Sequence, residues 1–169
     1  ATYFSNLDKI IDLRTRQDNL LRDRMEPQAE RIFGHFTEIK DRSAADGVAE
    51  ASFAAGEAEE HWLLARLIVS RFITSGDSAA RAQVDANLVE MRTHIEQLDA
   101  VLKNPQLRKS MTALSEDIRA YFADFQEVMA FTQEATRLRD DILVSLAEQL
   151  GRKTTEIATS AHRSELALE

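Results

Sequence analysis

Apolar residues return every three or four positions along almost the whole chain, and that spacing predicts a protein built of helices. The cleanest stretch is Val84, Leu88, Met91, Ile95, Leu98 and Leu102, whose steps of 4, 3, 4, 3 and 4 make a one-sided bundle seam. From Tyr3 to Met25 the pattern is Tyr3, Leu7, Ile10 and Ile11, then Leu20 and Leu21. Between them lie Arg14, Arg16, Gln17, Asp18 and Asn19, a polar middle that cannot face a dry monomeric core. Pro27 fits either the first turn of a new helix or a kink in a continuing one, because it lacks an N–H and clashes with the preceding turn. Ile32, Phe33, Phe36 and Ile39 stripe the second segment, which should end between Ser43 and Gly47.

A third segment runs from about Val48 to Ser75, closed by Gly76 in the left-handed conformation, and Asp77 or Ser78 can cap the next helix. Asn104-Pro105 reads as an N-cap followed by the first helical residue. Beyond it Leu114, Ile118, Tyr121, Phe125 and Val128 lead into Leu138, Ile142, Leu146 and Leu150 with no proline, Gly151 being the weak point of the run. Short connections favour antiparallel neighbours, so the expected fold is an all-α, elongated up-down-up-down bundle. At about 1.5 Å per residue the first and last helical runs outreach the middle two. They should protrude together, with both termini at one end. The expectation is a single domain, residues 1–169, with a bundle over about 27–150 and extensions at 1–26 and 151–169. A second copy of the chain could complete the bundle beside the polar middle of the first helix.

Composition narrows the function classes. With 44% hydrophobic and 30% charged residues, five glycines and two prolines, the chain suits a charged helical protein. It has no cysteine, which excludes a disulfide framework and thiolate metal sites. A net charge of −8 without a clustered basic surface disfavours nucleic acid as a partner. No apolar run approaches the roughly 20 residues that span a bilayer. Ala1 stands where an initiator methionine would, which suggests processing or a piece of a longer protein, and the closing Leu168-Glu169, which could equally be a vector remnant, stays outside the functional reading.

Enzyme signatures do not emerge. Di-iron bundles use Glu-x-x-His, but Ile32, Ala58, Met91 and Thr159 precede His35, His61, His94 and His162 by three. Glu57, Glu59, Glu60 and His61 read as a solvated helix start rather than a metal site. The glycines are too scattered for a phosphate loop, and no nucleophile elbow or HExxH motif is present. No metal and no cofactor are expected.

The chemistry that remains lies in HWLLARLIVSRFITSGDSAAR, residues 61 to 81, where Leu63, Leu64, Leu67, Ile68, Val69, Phe72 and Ile73 cover nearly the whole circumference and imply contact on several sides. Arg66 and Arg71 interrupt it, about 140° apart at 100° per residue. Each either pairs with an acid on a neighbouring helix or faces a cavity and binds a carboxylate, to which guanidinium geometry is suited. Trp62, Tyr121, Phe122 and Phe125 are candidates to line that cavity, or else form an aromatic core stripe. The candidate ligand-binding set is therefore Arg66, Arg71, Trp62, Tyr121 and Phe125, with at most one arginine meeting a ligand.

HWLLARLIVSRFITSGDSAA, followed by LKNPQLRKSMTAL, YFADFQEV and LAEQLG, and preceded by MEPQAERIFGHF, resembles the extracytoplasmic helical bimodular (HBM) sensor domains of bacterial transmembrane histidine kinases and chemoreceptors. The resemblance covers about residues 20 to 155 and contains no catalytic signature. Family members stack two bundles, whereas this chain holds one bundle and a two-helix extension. The resemblance implies a periplasmic sensor domain, anchored through flanking membrane helices and homodimeric, that binds a small organic or aromatic acid and signals by helix displacement in a two-component system. A histidine kinase parent is expected ahead of a chemoreceptor. From other classes, an intracellular helical adaptor is the alternative, and a helical enzyme ranks third.

Overall fold

The computed structural model describes residues 2–76 and 79–166, and every regular element in them is helical. Helix α1 spans Thr2–Leu20, a π-helical turn Leu21–Met25, α2 Glu26–Ala45, α3 Ala49–Ser75, α4 Ala80–Val101 and α5 Pro105–Leu166. The all-α bundle expected from the apolar spacing is the observed fold. The chain divides into two compact units, Gln17–Ala130 and Ala1–Arg16 with Phe131–Glu169.

In the unit Gln17–Ala130, Pro27 lies in the first turn of α2, one of its two expected places, and the π turn leads into that helix without a break in helical angles. Leu20, Met25 and Glu26 all keep right-handed helical angles, and the Glu26 N–H donates to Leu21 O, five residues back. The wider turn fits a proline that cannot donate and would crowd the preceding turn of an α-helix. It also explains the packing. The buried stripe runs Leu20, Met25, Ala29, Ile32, Phe36, Ile39 and Ser43, so one step of five at the π turn joins an otherwise regular 4-3 pattern.

Turn chemistry follows the sequence closely. At the end of α2, Gly47 takes φ +73° while its N–H donates to Ala44 O and the Val48 N–H donates to Ser43 O, the paired bonds of a Schellman motif. Gly76, at φ +68°, closes α3 with a 2.7 Å bond from its N–H to Phe72 O. The candidate caps Asp77 and Ser78 lie outside the described residues. Asn104 caps α5 by accepting the Gln106 N–H at 2.9 Å. Its Nδ2 donates to Asp46 Oδ2 at 3.1 Å, which ties the α4–α5 connection to the end of α2.

Helix α3 packs along both α2 and α4. Its buried face is Ala51, Ala55, Ala58, Trp62, Ala65, Val69 and Phe72, again in steps of 4 and 3. The prominent leucines lie elsewhere: Leu63, Leu64 and Leu67 are 45%, 42% and 59% exposed. This corrects the expectation that α3 is enclosed on several sides. Alanines let neighbouring backbones approach closely, and the leucines then fall on the outer surface.

The π turn and α2 together are joined to antiparallel α5 by three polar pairs spaced by seven residues. Arg24 meets Asp124 at 2.5 Å, Arg31 meets Asp117 at 2.7 Å, and the Ser110 hydroxyl donates to Glu38 at 2.9 Å. Heptad spacing on both helices keeps all three on one seam. Arg31 also donates through Nε to Asp117 Oδ2 at 3.1 Å, a two-point contact that raises the Arg31 pKa through that hydrogen bonding.

In the other unit, α1 and α5 are adjacent. Lys9 acts electrostatically on Glu134, whose pKa is held down first by the Arg137 hydrogen bond. Ala135 and Leu138 are buried, and Ile10, Leu13 and Ile142 are half-buried. Gly151 does not break α5, and from Leu146 to Ser160 every residue is exposed, including Leu146, Leu150 and Ile157.

Candidate functional site

Arg66 projects from α3 toward the start of α2, where its Nη2 donates to Glu26 Oε2 at 2.7 Å. The two side chains border an open cleft of about 310 Å³ with Leu63, Leu67, Ser70 and Tyr121. Arg66 is 38% exposed and Glu26 61%, so their attraction is largely screened and worth about 0–1 kcal/mol. A competing carboxylate could therefore displace Glu26 at small cost and take the same guanidinium face.

Tyr121 supplies the inner wall. It is 3% exposed, and burial pushes its phenol well above the usual range; Arg66 opposes the rise slightly and Glu26 adds to it. A phenol hydroxyl is protonated at neutral pH, so the Tyr121 side chain brings a hydrogen-bond donor to the residues that line the Arg66 cleft.

The remaining sequence candidates separate from this cleft. Trp62 is fully buried and packs edge-on against Tyr121, centroids 4.8 Å apart, and against Phe122 at 6.1 Å. Phe125, 2% exposed, packs edge-on against Phe72 at 5.6 Å. Both belong to the aromatic core, where an aromatic side chain burying roughly 200 Å² contributes up to about 5 kcal/mol. The Trp62 Nε1–H is buried without an acceptor. Arg71 is exposed on the last turns of α3 and does not border the Arg66 cleft. Of the five candidates, the structure brings Arg66 and Tyr121 together.

Two polar clusters differ from the sequence reading: Glu59, expected on a solvated helix start, lies buried well inside α3, which begins at Ala49, and the Asp124 cluster was not singled out. Glu59 is buried against α2, taking hydrogen bonds from the Lys40 ammonium and, at 3.3 Å, the Thr37 hydroxyl. Asp124, 2% exposed, accepts from Arg24 and from Gln28 Nε2 at 3.0 Å, while Gln28 Oε1 is left without a donor. Seven-residue spacing of Arg24 with Arg31 and of Asp117 with Asp124 was the available signal. Among the described residues, no three histidine or carboxylate side chains gather as metal ligands. No protein family, curated protein or solved structure matches the chain.

Proposed function

We propose that the chain is the extracytoplasmic ligand-sensing domain of a bacterial transmembrane receptor, in first place a sensor histidine kinase and in second a chemoreceptor. The observation that carries this reading is the pairing of the chain's first and last segments, Ala1–Arg16 and Phe131–Glu169, as one compact unit. A domain inserted between two membrane helices needs its entering and leaving helices side by side. A small organic acid held at Arg66 and Tyr121 would bias α3 against α2 and α5, and packed helices answer such a bias by small shifts between discrete arrangements. The exposed Leu146, Leu150 and Ile157 on α5 fit burial against a second copy in a homodimer.

The sequence of the gene on either side tests the setting: apolar spans of about 20 residues flanking the domain are expected. Thermal-shift measurements with small carboxylates test the cleft, since a ligand that binds only the folded state raises apparent stability. Stabilisation should weaken in Arg66→Ala. If folded Arg66→Ala and Arg71→Ala proteins both respond as the parent does, neither arginine binds the ligand.

A second reading is favoured by the outer face of α3. Leu63, Leu64 and Leu67 form an exposed apolar patch of the kind that receives a partner helix in an intracellular adaptor. Flanking sequence without apolar spans, together with dimerisation lost on Leu64→Glu, would support it.

A further inference from the structure

A second concavity in the unit Gln17–Ala130 lies away from Arg66, between α4 and α5. It is an open groove of about 560 Å³, within the range of small-molecule sites. Its floor is apolar, made by Met91, Ile95, Ile118 and Phe122, and Arg92 from α4 and Arg119 from α5 stand on its walls. Both arginines are exposed. In a chain of net charge −8, most described arginines sit beside an aspartate or glutamate; at this groove neither Arg92 nor Arg119 has an ion pair or hydrogen bond. Glu96, one turn beyond Arg92, is the single acid on the groove wall, so the lining carries a net charge of +1.

We propose that the α4–α5 groove is a binding site for a monocarboxylate with an apolar body, its carboxylate held between Arg92 and Arg119 and its hydrocarbon laid on Ile95, Ile118 and Phe122. Two guanidinium groups from different helices can each give a carboxylate a charge-assisted bond, which neither receives from the protein. Glu96 disfavours a second carboxylate on the ligand and selects a monoanion over a dicarboxylate by like-charge repulsion. The floor gives a saturated chain or a phenyl ring the burial that a bare acetate ion lacks. The site does not depend on the sensor reading, because the domain itself carries every contact.

Octanoate and 3-phenylpropionate are the probes, with octanamide and succinate as controls, and binding is followed by titration calorimetry and by Trp62 fluorescence. Trp62 is the only tryptophan, and it touches the groove floor through Phe122. Expected results are saturable binding of both monocarboxylates and at least tenfold weaker binding of octanamide and succinate. Arg92→Gln and Arg119→Gln should each weaken octanoate about tenfold, the scale of one partly exposed charge-assisted bond. Glu96→Gln should narrow the gap between octanoate and succinate. Arg42→Gln, at an exposed arginine of α2 outside the groove lining, should leave octanoate binding unchanged. Circular dichroism confirms that each variant is folded. The proposal is overturned if neither monocarboxylate binds, if octanamide binds as well as octanoate, or if the folded Arg92→Gln/Arg119→Gln protein binds octanoate as the parent does.

Discussion

Replacing Arg24 by methionine tests whether the buried end of the α2–α5 seam depends on charge. The substitution keeps a long apolar stem and removes the cation, leaving the Asp124 carboxylate, 2% exposed, with the Gln28 amide as its remaining hydrogen-bond donor. Breaking a fully buried ion pair costs about 3–5 kcal/mol. Arg24 is itself 57% exposed, so water reaches the space it leaves and the cost falls to about 2 kcal/mol. For a chain of this size that corresponds to a melting temperature lower by about 4–8 °C. Replacing the whole cluster, Arg24→Met with Gln28→Met and Asp124→Leu, removes both the carboxylate and the unpaired Gln28 Oε1, and stability should return to within about 1 kcal/mol of the parent. Urea titrations followed by Trp62 emission report on the unit Gln17–Ala130, where the sole tryptophan is fully buried. A loss below about 0.5 kcal/mol in Arg24→Met would refute the reasoning and class the pair with ordinary surface salt bridges.

Glycine substitutions should divide by backbone conformation. Gly76→Ala forces a side chain into φ +68° and should cost about 1 kcal/mol, whereas Gly151→Ala, in mid-helix with open space around its Cβ, should gain about 0.5–1 kcal/mol; thermal melts of both give opposite signs if this is right. Tyr121 predicts an alkaline limit to stability. Its pKa is raised in the folded state, so the unfolded chain loses the proton first, and stability that is complete below pH about 10 declines as pH rises above it. In Tyr3→Phe protein, which retains Tyr121 as its one tyrosine, tyrosinate absorbance should develop only with alkaline unfolding; a reversible native titration near pH 10 would contradict the burial argument.

The sequence patterns that transferred intact to the structure are local. Asn104-Pro105 caps α5 as its chemistry dictates, Gly47 and Gly76 take positive φ at helix ends, and α4 buries Val84, Met91 and Leu98 on the seam that its spacing marks. Pro27 left two outcomes open because a π turn depends on how the next helix packs. The buried step of five from Leu20 to Met25 becomes meaningful only once Ile32, Phe36 and Ile39 fix the inner face. Helix α3 misled for a different reason: leucine and isoleucine dominate its hydrophobicity, while its interior is set by alanines at steps of 4 and 3. Reading small residues as packing positions would have identified the buried face. Among candidate site residues, the ambiguity at Trp62, Tyr121 and Phe125 was between core and cavity. Spacing cannot separate those roles, since both place an aromatic ring on the inner side of a helix. Arg92 and Arg119 carried no local signal, because their shared groove exists only after α4 and α5 align.

The α2–α5 seam also bears on which helix displacements the proposed signalling could use. Arg24 and Arg31 are more than half exposed, and their long side chains can follow Asp124 and Asp117 through a slide of 1–2 Å, the scale of common interface shifts, with little loss. A slide of one helical turn, about 5.4 Å, is different, because it takes all three heptad-spaced pairs out of register together. Gln28 adds a finer constraint. Its buried amide already has one unpaired oxygen, and drawing Asp124 away would orphan its nitrogen as well, at about 1–3 kcal/mol. The exposed pairs therefore tolerate small motions and set the coarse register, while Gln28 and Asp124 resist separation. Because Ser110, Asp117 and Asp124 share one face of α5, a rotation of that helix large enough to carry Asp124 off Gln28 would draw all three pairs apart together, so this seam admits only small slides or rotations and penalises larger ones of either kind.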